Sequence, residues 1–344
     1  PNGRPESRTA VPYWIAREFR TGKAQWFARN LAATHDLWSL IFCDDSVAPV
    51  GPKVGDQTWF PELDWVVART GYTADDLVVS LRSGIGFNHE HADRNSLIVK
   101  CWGEQLIVDP IRPPYWFRDP SWILRETAGH SAVLIDGAGH LYNNGVEGTN
   151  ATICQARIVD RGEGRGYSFW TSDATQAYRV ANYEIRSVVR TVAVFFEQRA
   201  VVVVDRISKW RNESEFEARF FADNYDGQAK IGTGPERFSI QRPGAQAEAQ
   251  VFSRSHFEVT SETLPIPEER ALKHPFVKVK TAAGMAATLV TAISLAPKDA
   301  GMSPIDIKAI TGELIEVTLG KTGSSAICRI NDADSIPGIE IQTG

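Results

Sequence analysis

Beyond residue 57 the chain is cut into short runs of β-branched and aromatic residues, punctuated by Gly, Asn and Asp, at 65–69, 77–82, 96–101, 105–108, 131–135, 151–159, 187–196, 200–204, 216–221, 276–280 and 287–295. Runs of that length and composition are strands. No helical periodicity separates them, so the pattern predicts a large antiparallel β-sandwich with no intervening helices. The run 200–204 (AVVVV) is apolar without alternation, as a strand buried on both faces must be. With 192–196 and the turn 197–199 it predicts a central hairpin. The chain carries neither a repeat of fixed period nor a low-complexity stretch.

The first part of the chain reads differently. Between 13 and 42 the residues Phe27, Leu31, Thr34, Trp38 and Phe42 recur at helical spacings of four, three, four and four. They predict one apolar stripe, with Thr21-Gly22 dividing the run into two helices. Pro49, Gly51, Pro52 and Gly55 mark 43–57 as a linker. The expected organisation is therefore a helical segment over 1–57 and a β-sandwich over 58–344. Because the chain starts at Pro1 and enters helical sequence almost at once, an N-terminal part, with any signal peptide, is expected to precede it.

Composition narrows the function. A length of 344 residues with 43% hydrophobic residues and ten tryptophans supports a substantial core. A net charge of −5 and the absence of any Lys/Arg run argue against nucleic acid or an anionic membrane as partner. No apolar run approaches the length of a membrane span. Cys43, Cys101, Cys154 and Cys328 are far apart and form no C-x-x-C, so neither a zinc-thiolate site nor a disulfide framework is indicated.

The chain has only seven histidines, and two lie one residue apart in GFNHEHADRNSL, 86–97. On an extended backbone His89, His91 and Asp93 would face the same side. Polar positions recur at the edges of the apolar runs: His91, then Asp109 closing EQLIVD 18 residues on, then His130 in GHSAVLIDG 21 residues further. These spacings are too long for one helix and natural for neighbouring strands. Two imidazoles and a carboxylate suit zinc, which accepts such an N/O set and leaves a fourth position for another ligand or water. Asp93 is better placed to orient a ligand or cap a turn than to bind metal. A rival reading takes His91, Asp93 and His130 as the H-x-D…H facial triad of a non-haem iron oxygenase. The cosubstrate-binding arginine expected about ten residues after the distal histidine is here His140, and that reading leaves His89 and Asp109 without a role.

The string SLRSGIGFNHEHADRNSLIVKCWGEQLIVDP, followed by a tyrosine and RETAGHSAVLIDGAGH, resembles the heparinase II/III-like polysaccharide lyases. In that family a helical toroid precedes a β-sandwich. The likeness is strongest over 59–139, extends more loosely through RTVAVFFEQRAVVVVDRI, and makes 1–45 the last helices of a toroid. It implies His91, Asp109 and His130 as ligands of a structural zinc, His89 as the histidine facing the sugar, and Tyr115 as a cleft tyrosine. Arg112 and Arg118, on the same loop as Tyr115, would contact uronate carboxylates. The implied reaction is β-elimination on a uronic-acid-containing glycan, in which a base takes the C5 proton and an acid protonates the leaving oxygen at C4. The family's main tyrosine base and a neutralising Asn or His belong to the toroid, and no matching motif occurs in this chain. The implied setting is the periplasm or outside the cell, with an acidic polysaccharide as partner. A non-catalytic carbohydrate-binding sandwich with structural zinc is the alternative: it would keep the three ligands yet tolerate replacement of His89 and Tyr115.

Overall fold

The computed structural model describes residues 9–31, 35–51, 57–85, 91–110, 113–116, 118–140, 155–321 and 324–343. The chain forms two compact units, Pro1–Val54 and Gly55–Gly344.

The first unit contains α1 (Ala10–Phe19), α2 (Gly22–Asn30) and α3 (Leu37–Phe42). The break at Thr21-Gly22 is present: Arg20 ends α1 in the left-handed region at φ 49°. A Cβ on Gly22 would lie 2.5 Å from the Ala48 carbonyl, so only glycine fits there. The single stripe does not form. Asp36 starts α3 with a capping box, its carboxylate accepting from the Ser39 N–H. Phe27 and Trp38, two members of the expected stripe, are 39% and 58% exposed. A local cap has overridden the periodicity.

The second unit holds the strands. In chain order they are β1 (Gln57–Phe60), β2 (Trp65–Arg69), β3 (Val78–Arg82), β4 (Leu97–Cys101), β5 (Glu104–Ile107), β6 (Val133–Ile135), β7 (Arg157–Gly164), β8 (Tyr167–Asp173), β9 (Ile185–Phe195), β10 (Ala200–Lys209) and β11 (Phe216–Phe221). There follow β12 (Lys230–Gly234), β13 (Arg237–Gln241), β14 (Ala245–Phe252), β15 (Phe257–Thr263), β16 (Pro275–Thr281), β17 (Ala286–Pro297), β18 (Ile305–Ala309), β19 (Leu314–Leu319), β20 (Ala326–Asn331) and β21 (Gly338–Thr343). Contrary to expectation, helices interrupt the strands: α4 (Thr175–Ala181) and α5 (Glu268–Ala271). The Asp173 carboxylate accepts from the Thr175 N–H and opens α4, whose Ala177 and Tyr178 pack into the core.

An eight-stranded sheet, β12-β13-β14-β17-β10-β9-β8-β7, forms the middle of this unit. One face packs on the five-stranded sheet β1–β5 and on the sheet β15-β16-β11-β6, through Val192, Val194, Val201 and Val203 against Leu81, Val99, Phe220 and Val277. The other face packs on β18–β21, through Phe195, Val202 and Val204 against Ile315, Val317 and Cys328. The β9–β10 hairpin is therefore buried on both sides, as its unbroken valines require. Strands rich in Ala, Gln and Gly escaped the sequence reading. β14, AQAEAQVF, alternates buried and outward residues, but its core-facing alanines carry little strand propensity.

Candidate metal centre

The site forms where two sheets meet. His91 lies in the loop before β4, Asp109 lies two residues after β5, and His130 follows a pair of short 3-10 turns, Trp122–Arg125 and Thr127–Gly129, ahead of β6. All three are loop residues at strand ends. β4 and β5 are neighbours, but β6 belongs to a different sheet, which corrects the expectation of three adjacent strands.

Backbone bonds fix these loops. Asn95 N–H donates to the Arg82 carbonyl at 2.8 Å and Leu97 N–H to the Ser131 carbonyl at 3.2 Å, closing the 91–97 segment onto β3 and onto the residue after His130. The Ser131 hydroxyl donates to the Val108 carbonyl at 2.9 Å and accepts from the Phe221 N–H at 3.0 Å, fixing the approach to Asp109. Gly129 is needed for packing: a Cβ there would lie 2.5 Å from the Ile123 oxygen and 2.8 Å from the Leu124 Cα.

The structure brings His91, Asp109 and His130 together, with one potential ligand atom from each within 4.8 Å of the others. The two imidazole rings are tilted with centroids 5.2 Å apart. Asp109 Oδ1 meets His130 Nδ1 and accepts from the Ser96 hydroxyl at 3.1 Å. His130 Nε2 is buried with no hydrogen-bond partner among the described residues. Burial, and then the neighbouring His130, push His91 down to about 4. Burial alone would do the same to His130, but the Asp109 carboxylate overcomes it and raises that imidazole. One neutral imidazole, one imidazole stabilised as a cation by a carboxylate, and an unsatisfied buried nitrogen form a set that a divalent ion in place of the proton would satisfy.

Asp93 stands apart from this set. Its carboxylate takes Arg82 Nη1 at 2.9 and 3.1 Å and Arg94 Nη1 at 2.7 Å. Burial opposes its charge, yet Arg82 leads a group of positive neighbours that holds it below the ordinary carboxylate range. Asp109, rather than the Asp93 of the H-x-D…H reading, stands with the two histidines.

His89 and Arg112 lie outside the described residues. Tyr115 is 58% exposed, and the buried Arg125 guanidinium sits 4.5 Å from its ring centroid. Arg118 is exposed on the same loop. Arg125 was not apparent in the sequence. It donates to the Pro114 carbonyl, and its own carbonyl accepts from the Ala92 N–H at 2.8 Å, tying the Tyr115 loop to the His91 loop. Arg190 was missed as well. It spans Asp205 and the carbonyls of Asn95 and Ser131, at 2.8 and 2.6 Å; Ser131 adjoins His130, and Asn95 lies four residues after His91. An arginine in a valine-rich strand is the sequence signal for such a residue, since a charge there needs a buried partner.

A family model, described as heparinase II/III-like, C-terminal, matches residues 52–284. The chain belongs to the heparinase II/III-like C-terminal family. Solved structures share its fold at low identity. A heparan sulfate lyase HepC mutant from Pedobacter heparinus superposes with TM-score 0.68 at 15% identity, over 94% of this chain and 48% of that one. The heparinase III BT4657 gene product gives 0.67 at 13% over 94% and 47%, and a further heparinase III gives 0.62 at 14% over 86% and 43%. This heparinase II/III-like chain therefore spans about half the length of the solved lyases it matches. No curated protein matches it in sequence.

Proposed function

We propose that the protein is, or forms the β-rich part of, a polysaccharide lyase that cleaves uronic-acid-containing glycans by β-elimination. The observation that carries this reading is the convergence of His91, Asp109 and His130 immediately after His89, in a chain of the heparinase II/III-like family. The three would hold a zinc ion, which would pin the His91 loop to strand ends of two sheets. His91 then anchors the segment that carries His89. His89 would donate a hydrogen bond to the uronate or carry a proton, a role open to an imidazole near neutral pH. Tyr115, with its ring face on Arg125, and the cationic Arg112 and Arg118 would face the sugar, neutralising the carboxylate so that charge can build up at C5. Such a protein belongs in the periplasm or outside the cell, where acidic polysaccharides are met.

The test uses the full-length protein on alginate, heparin, heparan and hyaluronan, followed by the ultraviolet absorbance of the unsaturated uronate. At least one substrate should yield product, and His89→Ala should cut turnover by about 100-fold or more while bound zinc is retained. Absence of product across the panel, with zinc present, would sink the lyase reading and leave a carbohydrate-binding sandwich. Absence of zinc from purified protein, measured by elemental analysis, would sink the metal assignment.

A further inference from the structure

A cavity of about 430 Å³ lies along the rim of the eight-stranded sheet and is lined by Arg157 on β7, Arg179 on α4 and Arg186 on β9, with Asp173 as its one lining carboxylate among the described residues. It shares no residue with the candidate metal centre. α4 separates the two environments: Tyr178 turns inward, donating its hydroxyl to the Val133 carbonyl at 2.6 Å and packing on His140, whereas Gln176 and Arg179 line the cavity.

The positive charge here is largely unspent. The Arg157 side chain, directly across the β7–β8 ladder from Asp173, makes neither a hydrogen bond nor an ion pair among the described residues. Arg179 donates Nε and Nη2 to the carbonyls of Ile185 and Arg186, both at 2.8 Å, which fixes its guanidinium in place. The Arg186 guanidinium lies 4.9 Å from the ring centroid of Trp210, itself 57% exposed. Asp173 is committed to the Thr175 N–H at 2.8 Å, and nearby Glu184 to Lys209 and Asn212. Arg206 pairs in register with Val189, a lining residue, and so faces the same side; its Nε is buried with no hydrogen-bond partner among the described residues. Burial lowers the Arg206 guanidinium from its ordinary value, Asp332 acts against that and Arg186 adds to it, while its Nη1 donates to the carbonyls of Ile207 and Ala287 at 3.3 and 3.5 Å. In a molecule of net charge −5, such a concentration of guanidinium is a local exception.

We infer that this cavity binds the sulfate or carboxylate groups of an acidic glycan, at a site separate from the metal centre. Guanidinium forks match both oxyanions bidentately. Outside the lining, the exposed ring of Trp210 adjoins Arg186, and the Trp210 backbone N–H donates to the Glu184 carbonyl at 2.7 Å, next to Tyr183, which is 81% exposed; such rings offer faces on which sugars stack. Such a site would retain a long acidic chain independently of whether it is cleaved.

The test is calorimetric titration of the full-length protein, in a His89→Ala, Arg112→Ala background, with heparin octasaccharide, hyaluronan octasaccharide and inorganic sulfate. Saturable, salt-sensitive binding of at least one octasaccharide is expected, weakened about tenfold or more by Arg157→Ala or Arg186→Ala and partly recovered by Arg157→Lys. The Arg157 side chain is exposed and makes no hydrogen bond among the described residues, so its variant should fold normally, as circular dichroism will show. Preference for heparin assigns the site to sulfate, and comparable binding of hyaluronan assigns it to carboxylate. Unchanged affinity in both alanine variants, or binding of inorganic sulfate without either octasaccharide, overturns the inference. Because the readout is binding in a cleavage-impaired background, it is unaffected by whether the lyase reading holds.

Discussion

The Arg190 guanidinium is fully buried, held by Asp205 at 2.7 and 2.9 Å and donating to the carbonyls of Asn95 and Ser131. Those carbonyls flank the segments that carry His91 and His130, so one residue of the central sheet sets the spacing between two candidate ligands. Arg190→Ala would strand the Asp205 carboxylate in the core and should cost about 3–5 kcal/mol of stability, measured by urea unfolding. Arg190→Lys keeps the charge but loses the fork; zinc affinity, read by competition with a chelating dye, should fall about 10- to 100-fold. Wild-type affinity in the lysine variant would mean that the loops hold themselves. At Gly129 the constraint is steric. Gly129→Ala pushes a methyl group against the Ile123 carbonyl, so it should displace His130 and lower zinc content while Arg157→Ala does not. The histidines and Asp109 were legible as a set because rare polar residues stood at the edges of apolar runs. Arg125 and Arg190 were not, because their roles depend on backbone carbonyls that no side-chain pattern records.

β10 links the scales. Its odd-numbered valines, Val201 and Val203, pack with β3, β4 and β11, and its even-numbered ones, Val202 and Val204, with the outer sheet of β18–β21. Each valine is buried completely or almost so. Val203→Ala should therefore destabilise by roughly 1.5–3 kcal/mol, and Val202→Ala by a similar amount despite facing the opposite layer. Equal loss on both faces, read by thermal or urea unfolding, is the signature of a strand at the centre of three layers; a negligible loss at Val202 would argue against the outer layer as part of the fold. The hairpin was readable because an uninterrupted valine run admits only double burial. The helical stripe of 27–42 was misleading for a related reason. Periodicity states which residues can share a face, whereas the Asp36 cap decides whether the helix runs through them.

At the level of the molecule, the family match ends at residue 284, before β17, which pairs with both β10 and β14. A piece comprising 52–284 would leave β10 with an unpaired edge and Val202, Val204 and Phe195 without their cover of β19 and β20. It should be insoluble or bind hydrophobic dyes, while 52–344 remains soluble; a monomeric, cooperatively folding 52–284 would refute the layered packing. Stability should also depend on pH through His274, which is 3% exposed and packed edge-on against Tyr225. Burial, helped by Lys273, lowers it from 6.5 to about 4 in the folded state. Between those values the unfolded chain binds the proton and the folded chain does not, so this contribution falls as pH drops from 6.5 towards 4 and is constant above that window. His274→Phe should flatten that part of the stability curve, whereas an unchanged slope would show that His274 does not set it.

Alternation, apolar runs and turn residues were enough to determine a mainly β molecule with a short helical start, because strand burial leaves its period in the chain. Rare polar residues at the edges of apolar runs, read together with the family resemblance, made His91, Asp109 and His130 the candidates for one ion. Only the tertiary structure decided that they meet at the junction of two sheets, that Asp93 is taken by Arg82 and Arg94, and that an arginine-lined cavity opens on the far face of α4. Each of those outcomes depends on contacts between segments remote in sequence, whose free energy comes from shared burial and has no local pattern to announce it.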